Sequence, residues 1–211
     1  MSFMTPTIVV ATGNRGKLAE IQSAAKLAGL DYHFRAIFDL LPDWQSPAED
    51  GDSFEANATI KAQAGFKTLG LPTLADDSGL VVDALGGGPG VYSSSFGGVE
   101  GDDARNNERL LTELVGIADT SLRTARFLST LVLVGLDSLL PDAPHKLVAT
   151  GACEGTIALE AAGEQGFGYD PLFLPKATPG RTMAQLGLQE KNAISHRGTA
   201  LEELMELLQN L

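Results

Sequence analysis

Two adjacent carboxylates stand between apolar runs in the segment Leu74–Gly90, which reads LADDSGLVVDALGGGPG. Neighbouring side chains of an extended chain point to opposite faces, so only one of Asp76 and Asp77 can enter a given pocket. Such acids suit a metal ion or a general base, whereas the alternative is a turn whose acids cap backbone amides. The apolar flanks favour the first interpretation, with different roles for the two acids.

A second candidate is Gly13-Asn14-Arg15-Gly16-Lys17, which follows the β-branched run Thr7–Val10. A strand that leads through glycines into a helix start presents free backbone N–H groups and the positive end of the helix dipole. With two cations added, phosphate is the natural ligand. The spacing is not that of a Walker A loop, because Leu18 replaces the hydroxyl residue. An ordinary tight turn is the alternative.

Two stretches in the last third of the chain carry further candidates. In Gly166–Pro171, GFGYDP, aromatics on a glycine-containing loop either stack on a base or pack in the core. Further on, Lys191, His196 and Arg197 surround Ser195, a good N-cap for a final helix. Cations are disfavoured at a helix N-terminus, so their presence indicates an anionic or polar ligand.

The remaining reactive side chains favour structural roles. His33 and His145 are isolated in the sequence, and no pair of histidines has the spacing of a zinc site. Cys153 is the one cysteine, which excludes an internal disulfide and a cysteine metal cluster and agrees with a reducing compartment. We therefore expect Cys153 to be a small buried residue.

The elements that must position these residues alternate between strands and helices. A strand at Thr7–Asn14 precedes a helix that ends near Gly29, and a second strand is predicted over 31–40. Residues 41–53 are loop-like, and Ser53 caps the next helix. The rest comprises two β-like runs broken at the acids (73–85), a helix (101–117), a strong strand (124–136), a hairpin-like segment (145–159), a short strand after 160 and one or two C-terminal helices.

Composition limits the classes of function. The 211 residues, 44% of them hydrophobic, are enough for one domain that spans 1–211 with a substantial core. A net charge of −12 argues against broad binding to nucleic acid or anionic membranes, although a polyanionic small ligand fits a locally basic or metal-loaded pocket. The beginning MSFMTPTIVVATG lacks the pattern of a signal peptide, and no apolar stretch reaches the ~20 residues of a membrane span. We expect a soluble, cytoplasmic α/β protein with a mixed sheet.

In this order, five blocks resemble the inosine triphosphate pyrophosphatase family. They cover residues from about 9 to 201, almost the whole chain, and they read ATGNRGKLAEI, EDGDSFEANATIKA, LADDSGLVVDALGGGPGVYS, GFGYDPLF and EKNAISHRGTAL. The resemblance implies a long curved mixed β-sheet flanked by helices, two lobes with a central cleft, and a homodimer. It also implies Mg²⁺-dependent hydrolysis of ITP, dITP and XTP to the monophosphate and pyrophosphate.

The resemblance also implies a role for each candidate. Asp77 would be the base that activates water, and Glu49 and Asp77 would hold the metal. The implied substrate contacts are Thr12, Gly13, Asn14, Arg15, Gly16 and Lys17 for the triphosphate, Ser78 beside the base, and Phe167, Gly168, Tyr169, Asp170, Lys191, His196 and Arg197 for the nucleobase.

Elementary chemistry agrees with this activity. Water attacks a phosphorus of a polyanion only after charge neutralisation, which Mg²⁺ and Lys17 can supply. A 6-oxo purine needs donors at O6, which backbone amides of SHRG or Arg197 can provide, and adenine would leave them unpaired.

The sequence departs from the family pattern at Asp50, where Thr is common, at Ala56, where Glu is frequent, and at Ser94-Ser95, where Ala-Arg is usual. Two alternatives stay open: a related enzyme for modified pyrimidine nucleotides, and a nucleotide-binding regulator without turnover.

Overall fold

A computed structural model describes residues 5–211. The expectation that no signal peptide begins the chain concerns in part residues 1–4, which lie outside the described residues. The described chain forms six strands and six helices with several short 3₁₀ turns. The strands are β1 (Thr7–Val10), β2 (His33–Ala36), β3 (Thr73–Val82), β4 (Thr124–Val134), β5 (Lys146–Ile157) and β6 (Phe173–Pro175). The helices are α1 (Arg15–Leu27), α2 (Ile37–Leu40), α3 (Phe54–Leu69), α4 (Asp103–Glu113), α5 (Leu188–Ile194) and α6 (His196–Gln209).

The six strands form one mixed sheet in the order β2-β1-β3-β4-β5-β6. Strand β1 pairs in parallel with β2 and with β3, whereas β5 and β6 are antiparallel. The register aligns Val10 with Leu74, and the N–H of Ala11 donates to the carbonyl of Leu74 at 2.8 Å. The turn after β1 therefore lies next to the part of β3 that carries Asp76 and Asp77. The predicted α/β class and mixed sheet are confirmed.

The chain divides into two compact units, each assembled from separate stretches of sequence. One unit comprises the residues up to Asp77, Thr130–Thr150 and Ala200–Leu211. Its main core packs α1, with Leu18 and Ile21, and the last turns of α6 against buried strand residues. A smaller core in the same unit is built largely of alanine and valine side chains.

The other unit comprises Ser78–Ser129 and Gly151–Thr199. Its core packs side chains of β3, β4, β5 and α4 around the fully buried Phe173. Arg123, which is 3% exposed, donates to the backbone carbonyls of Leu114, Ile117 and Ala158 at 2.7–2.9 Å. These hydrogen bonds satisfy a buried guanidinium with backbone acceptors, so Arg123 is a structural residue.

Three predicted elements differ from the structure. The hairpin-like segment predicted over 145–159 is the single strand β5, because its side chains alternate between buried and exposed without a turn, and it pairs with β6 instead of folding back on itself. The strand predicted over 31–40 ends at Ala36, because Ile37–Leu40 forms a short helix. The two runs predicted over 73–85 are one continuous strand up to Val82, because each acid has its own cation and needs no turn amide. The loop over 41–53, the Ser53 cap, the helix α4 and the short strand β6 are as predicted.

Gly135 offers a test of packing in the first unit. Its φ is +80°, and an added Cβ would lie 2.2 Å from the ring of Phe66. Gly135→Ala should lower the free energy of unfolding by about 2–4 kcal/mol, because left-handed strain and overpacking add.

Urea unfolding measures this loss, with Gly116→Ala as the matched control. A Cβ at Gly116 would meet nothing within 4 Å, and its φ is not in the left-handed region. Equal stability of the two variants would contradict the packing described for Gly135.

Candidate functional site

The turn between β1 and α1 is held by its own side chains. The N–H of Asn14 donates to the hydroxyl of Thr12 at 3.1 Å. Asn14 is the N-cap of α1, and its Oδ1 accepts from the N–H groups of Gly16 and Lys17 at 2.8 and 3.2 Å. The expectation that this turn leaves its amides free is therefore wrong for these three groups, because the Asn and Thr side chains satisfy them. The turn is pre-organised before any ligand binds.

The two cations of the turn have carboxylate partners. Arg15 makes a bidentate ion pair with Asp39, with distances of 2.9 and 2.6 Å, and both side chains are solvent-accessible. The Nζ of Lys17 lies 2.7 Å from Oδ2 of Asp76, which is almost fully buried. Lys17 thus links the first turn of α1 to β3 by an ion pair. The parallel pairing of β1 with β3 places the start of α1 next to Asp76.

The adjacent acids of β3 contact different cations. While Asp76 contacts Lys17, Oδ1 of Asp77 lies 3.0 Å from the Nζ of Lys61, on α3. The same nitrogen lies 2.8 Å from Oε2 of Glu49, in the loop before α3. The separation of the two acids that strand alternation predicts is confirmed. Lys61 brings Glu49 and Asp77 together around one ammonium group.

Burial sets the protonation behaviour of this cluster. It raises the pKa of Asp77 to about 6; the Lys61 ammonium opposes this shift, and the negative charge of Glu49 adds to it. Burial disfavours the ammonium of Lys61, but the carboxylates of Asp77 and Glu49 outweigh it and its pKa is raised. Asp77 is therefore a carboxylate with a pKa near neutrality and a cation beside it, which suits a proton acceptor.

The donor set around Lys61 fits a hard divalent cation. Among residues 5–211, no three His, Cys, Asp or Glu side chains converge as in an all-protein metal site. Mg²⁺ commonly uses one or two carboxylates and completes its shell with water and substrate phosphates. Glu49 and Asp77, both within 3.0 Å of one nitrogen, supply two such carboxylates.

A second cluster forms around the loop 166–170 in the other unit. Asp170 is buried and accepts hydrogen bonds from the N–H of Phe167, at 2.9 Å, and from the Nζ of Lys191. The same Nζ lies 4.8 Å from the centre of the Phe167 ring. Phe167 is 64% exposed, so the loop presents an aromatic surface with a cation beside it.

Tyr169 and Asp170 support the loop from inside. Tyr169 is 4% exposed, and its hydroxyl donates to the carbonyl of Ser93 at 2.8 Å. Burial raises its pKa, so the hydroxyl stays protonated. Of the two roles predicted for these aromatics, packing in the core is the one that Tyr169 has. Phe167 is exposed and remains available to stack on a base. The carboxylate of Asp170 is occupied by the loop amide and by Lys191.

The beginning of α6 carries the remaining predicted residues. Ser195 caps the helix by accepting from the N–H of Gly198 at 3.0 Å, as predicted, so this amide is not left for a ligand. The ring of His196 stacks on Phe127 with centroids 5.1 Å apart, and Arg197 is buried in the same helical turn. Ser78 follows Asp77 on β3.

Sequence reasoning missed Lys61. The buried face of α3 consists of Asn57, Ala58, Lys61, Ala62 and Gly65. A lysine at helical spacing among small apolar residues is a detectable signal, because a buried ammonium needs an acidic partner. Its partners come from a loop and from a strand, and no sequence spacing identifies them.

Comparison with known proteins agrees with this geometry. The model of the Ham1 family matches residues 8–207. This chain belongs to the Ham1 family. It is 46% identical to a dITP/XTP pyrophosphatase of Lactobacillus acidophilus, over 97% of this chain and 98% of that protein. The dITP/XTP pyrophosphatase of Haemophilus influenzae is 43% identical, over 97% of this chain and 100% of that protein.

A solved structure of a HAM1 protein from Coxiella burnetii superposes with a TM-score of 0.86 at 40% identity. The superposition covers 98% of this chain and 100% of that one. The family resemblance inferred from the five sequence blocks is thus confirmed.

Two expectations about this Ham1 chain concern groups outside the clusters. Cys153 is buried, and burial raises its pKa to about 11, so the thiol is protonated at neutral pH and unsuited to nucleophilic attack. Within the described range 5–211, no helix has both the length and the apolarity needed to cross a membrane.

The raised pKa of Asp77 predicts how stability varies with pH in the metal-free protein. Its carboxyl titrates near 4 in the unfolded chain and near 6 in the folded one, so the folded state binds more protons between these values. Its stabilising contribution is complete below pH 4 and is lost as the pH rises to 6. The full shift corresponds to about 3 kcal/mol, and solvent screening reduces the expected loss to roughly 1–2 kcal/mol.

Urea unfolding of wild type and Asp77→Asn between pH 4 and 7 measures this loss as the difference between the two proteins. Asp39→Asn is the control with the opposite sign, because Arg15 lowers the pKa of Asp39 and stability is then lost as the pH falls. A wild type that gains stability relative to Asp77→Asn from pH 4 to 6 would contradict the assignment.

Proposed function

We propose that this protein hydrolyses deaminated purine nucleoside triphosphates, ITP, dITP and XTP, to the monophosphate and pyrophosphate. The observation that carries the proposal is the single ammonium of Lys61 between Glu49 and Asp77, with a carboxylate of raised pKa facing it. The relatives named dITP/XTP pyrophosphatases, at 43–46% identity over nearly the whole chain, support the choice of reaction and substrate.

In the proposed reaction, water attacks the α-phosphorus of the nucleotide. A new P–O bond forms, the bond from the α-phosphorus to the bridging oxygen breaks, and pyrophosphate leaves. Asp77 accepts the proton that the water loses, a role that suits a carboxylate whose pKa burial raises to about 6 in the metal-free protein. Lys61 holds the Asp77 carboxylate in position and offsets negative charge that arrives with the substrate.

Mg²⁺, bound by Glu49 and Asp77, would neutralise the triphosphate and lower the pKa of a coordinated water. The turn Thr12–Lys17 would bind the phosphate chain. Lys17, the last residue of this turn, offers an ammonium group, and Arg15 offers a guanidinium that Asp39 holds in place. Ser78 would contact the substrate next to the base.

The second cluster is assigned to the nucleobase. The exposed ring of Phe167 provides a stacking surface beside Lys191, and Arg197 carries donors suited to O6 of a 6-oxo purine. The backbone of Gly168 to Asp170 and the ring of His196 complete the proposed base site. Leaving such donors unpaired costs about 1–3 kcal/mol each, which disfavours adenine. We further propose a homodimer in the cytoplasm, where the nucleotide pool lies, with no nucleic acid or membrane partner.

A pyrophosphate-coupled assay with Mg²⁺ tests substrate and reaction together. We expect turnover of ITP and XTP with a kcat/KM at least about tenfold above that of ATP, GTP or dUTP, the size of one discriminating contact. Preference for dUTP would favour a pyrimidine enzyme instead. Binding of ITP without any turnover would favour a nucleotide-binding regulator.

The roles of the two acids are tested by matched substitutions. Asp77→Asn should lower kcat for ITP by roughly 10²–10⁴-fold, the usual contribution of a general base, while ITP still binds. Asp76→Asn, which changes the neighbouring acid that contacts Lys17, should have a smaller effect on kcat. Single-turnover kinetics measure the effect on the chemical step, and equilibrium binding measures the effect on the affinity for ITP. A near-normal kcat for Asp77→Asn would mean that the base is another residue.

A further inference from the structure

Helix α4 holds the loop that carries Phe167. The carboxylate of Asp103, in the first turn of α4, accepts a hydrogen bond from the N–H of Gly168 at 2.6 Å. One turn later, the side-chain amide of Asn107 donates to the carbonyl of Gly168 at 2.8 Å. Residues 103 and 107 lie on the same helix face, so one face of α4 grips both peptide groups that flank Gly168.

The amide of Asn107 has no donor left for other purposes. Its Nδ2 donates to the carbonyl of Asp103, at 2.8 Å, as well as to that of Gly168. Both protons of the amide group are thereby used, which fixes the orientation of the side chain. Asp103 thus contributes its carboxylate to the loop and its carbonyl to Asn107, so the two residues act as one unit.

Gly168 needs such external support. Its φ is +61°, and Gly166 has a φ of +83°, so the loop is built on backbone conformations that glycine adopts without strain but does not fix. From inside the loop, the carboxylate of Asp170 accepts from the N–H of Phe167, and the N–H of Asp170 donates to the Phe167 carbonyl at 3.3 Å, but neither bond reaches the N–H or the carbonyl of Gly168. Without the bonds from α4, the peptide groups on both sides of Gly168 are held less firmly, and the exposed ring of Phe167 moves with them.

We propose that Asp103 and Asn107 are positioning residues that hold the Phe167 ring in the orientation that receives the nucleobase. The inference rests on the proposed function for the role of the ring, although the grip of α4 on the loop is a property of the protein itself. Asp103 and Asn107 act through the loop and need no contact with the substrate. Loss of either should weaken substrate binding more than it slows the chemical step, because the acid cluster around Lys61 is left as it is.

The variants follow from the hydrogen-bond chemistry. Asp103→Ala removes the acceptor for the Gly168 N–H. Asp103→Asn keeps an oxygen acceptor there and should behave nearly as wild type. Asn107→Asp keeps the shape but removes the donor. The control is Asp102→Ala, which removes the N-cap of α4 by deleting the acceptor for the N–H of Arg105, without touching the loop.

Two measurements on the full protein test the proposal. Hydrogen exchange of the peptide that covers residues 166–170, without nucleotide, should be at least tenfold faster in Asp103→Ala and Asn107→Asp than in wild type and Asp102→Ala. With ITP and Mg²⁺, the same two variants should raise KM at least tenfold with kcat within threefold of wild type. Asp103→Asn should stay within threefold of wild type in both parameters.

Exchange in Asp103→Ala and Asn107→Asp that equals exchange in Asp102→Ala would overturn the positioning role. So would an unchanged KM for ITP in these two variants when the wild type turns ITP over. A wild type that hydrolyses no ITP would instead overturn the proposed function, and the exchange measurement would still decide whether α4 holds the loop.

Discussion

The ion pairs of the buried Lys61 ammonium with Glu49 and Asp77 are the interactions on which the proposed catalytic site depends. The two carboxylates lie within 3.0 Å of this ammonium, and without a cation they would repel each other in a poorly solvated place. Removing one partner of such a buried group is costly, because the remaining charge is left uncompensated. The protein thus keeps two acids together, one of them with a pKa near 6, by placing a positive charge between them.

The backbone around this cluster explains how residues far apart in sequence meet. Parallel pairing aligns Val10 with Leu74, so the chain leaves β1 beside the part of β3 that carries the acids. Asn14 and Thr12 cap the turn and begin α1, which brings Lys17 to Asp76. Ligands of α/β proteins commonly bind at the carboxyl ends of strands, where loops meet. The turn lies at such a place, after the end of β1, and the acids lie beside it in the middle of β3.

Sequence reasoning reached the elements with strong local signals and missed contacts between distant ones. The β-branched runs, the Ser53 cap and the spacing of Leu18 and Ile21 predict their elements, because the signals are local. Strand alternation separated Asp76 from Asp77. The pairing of Lys61 with Glu49 and the grip of Asp103 on Gly168 were out of reach, because the partners lie on different elements that only the folded chain brings together. The prediction of free backbone amides after Gly13 was wrong for a local reason, because the side chain of the N-cap Asn14 accepts hydrogen bonds from them.

The claim that Glu49 and Asp77 bind the metal for the reaction is tested most directly by electron paramagnetic resonance of Mn²⁺ in place of Mg²⁺. The titration uses wild type, Glu49→Gln, Asp77→Asn and Asp76→Asn, each with an ITP analogue that has a non-hydrolysable α–β linkage. The account predicts that wild type and Asp76→Asn bind Mn²⁺ alike, and that Glu49→Gln and Asp77→Asn bind it at least about tenfold more weakly. Equal Mn²⁺ affinity in all four proteins would contradict it.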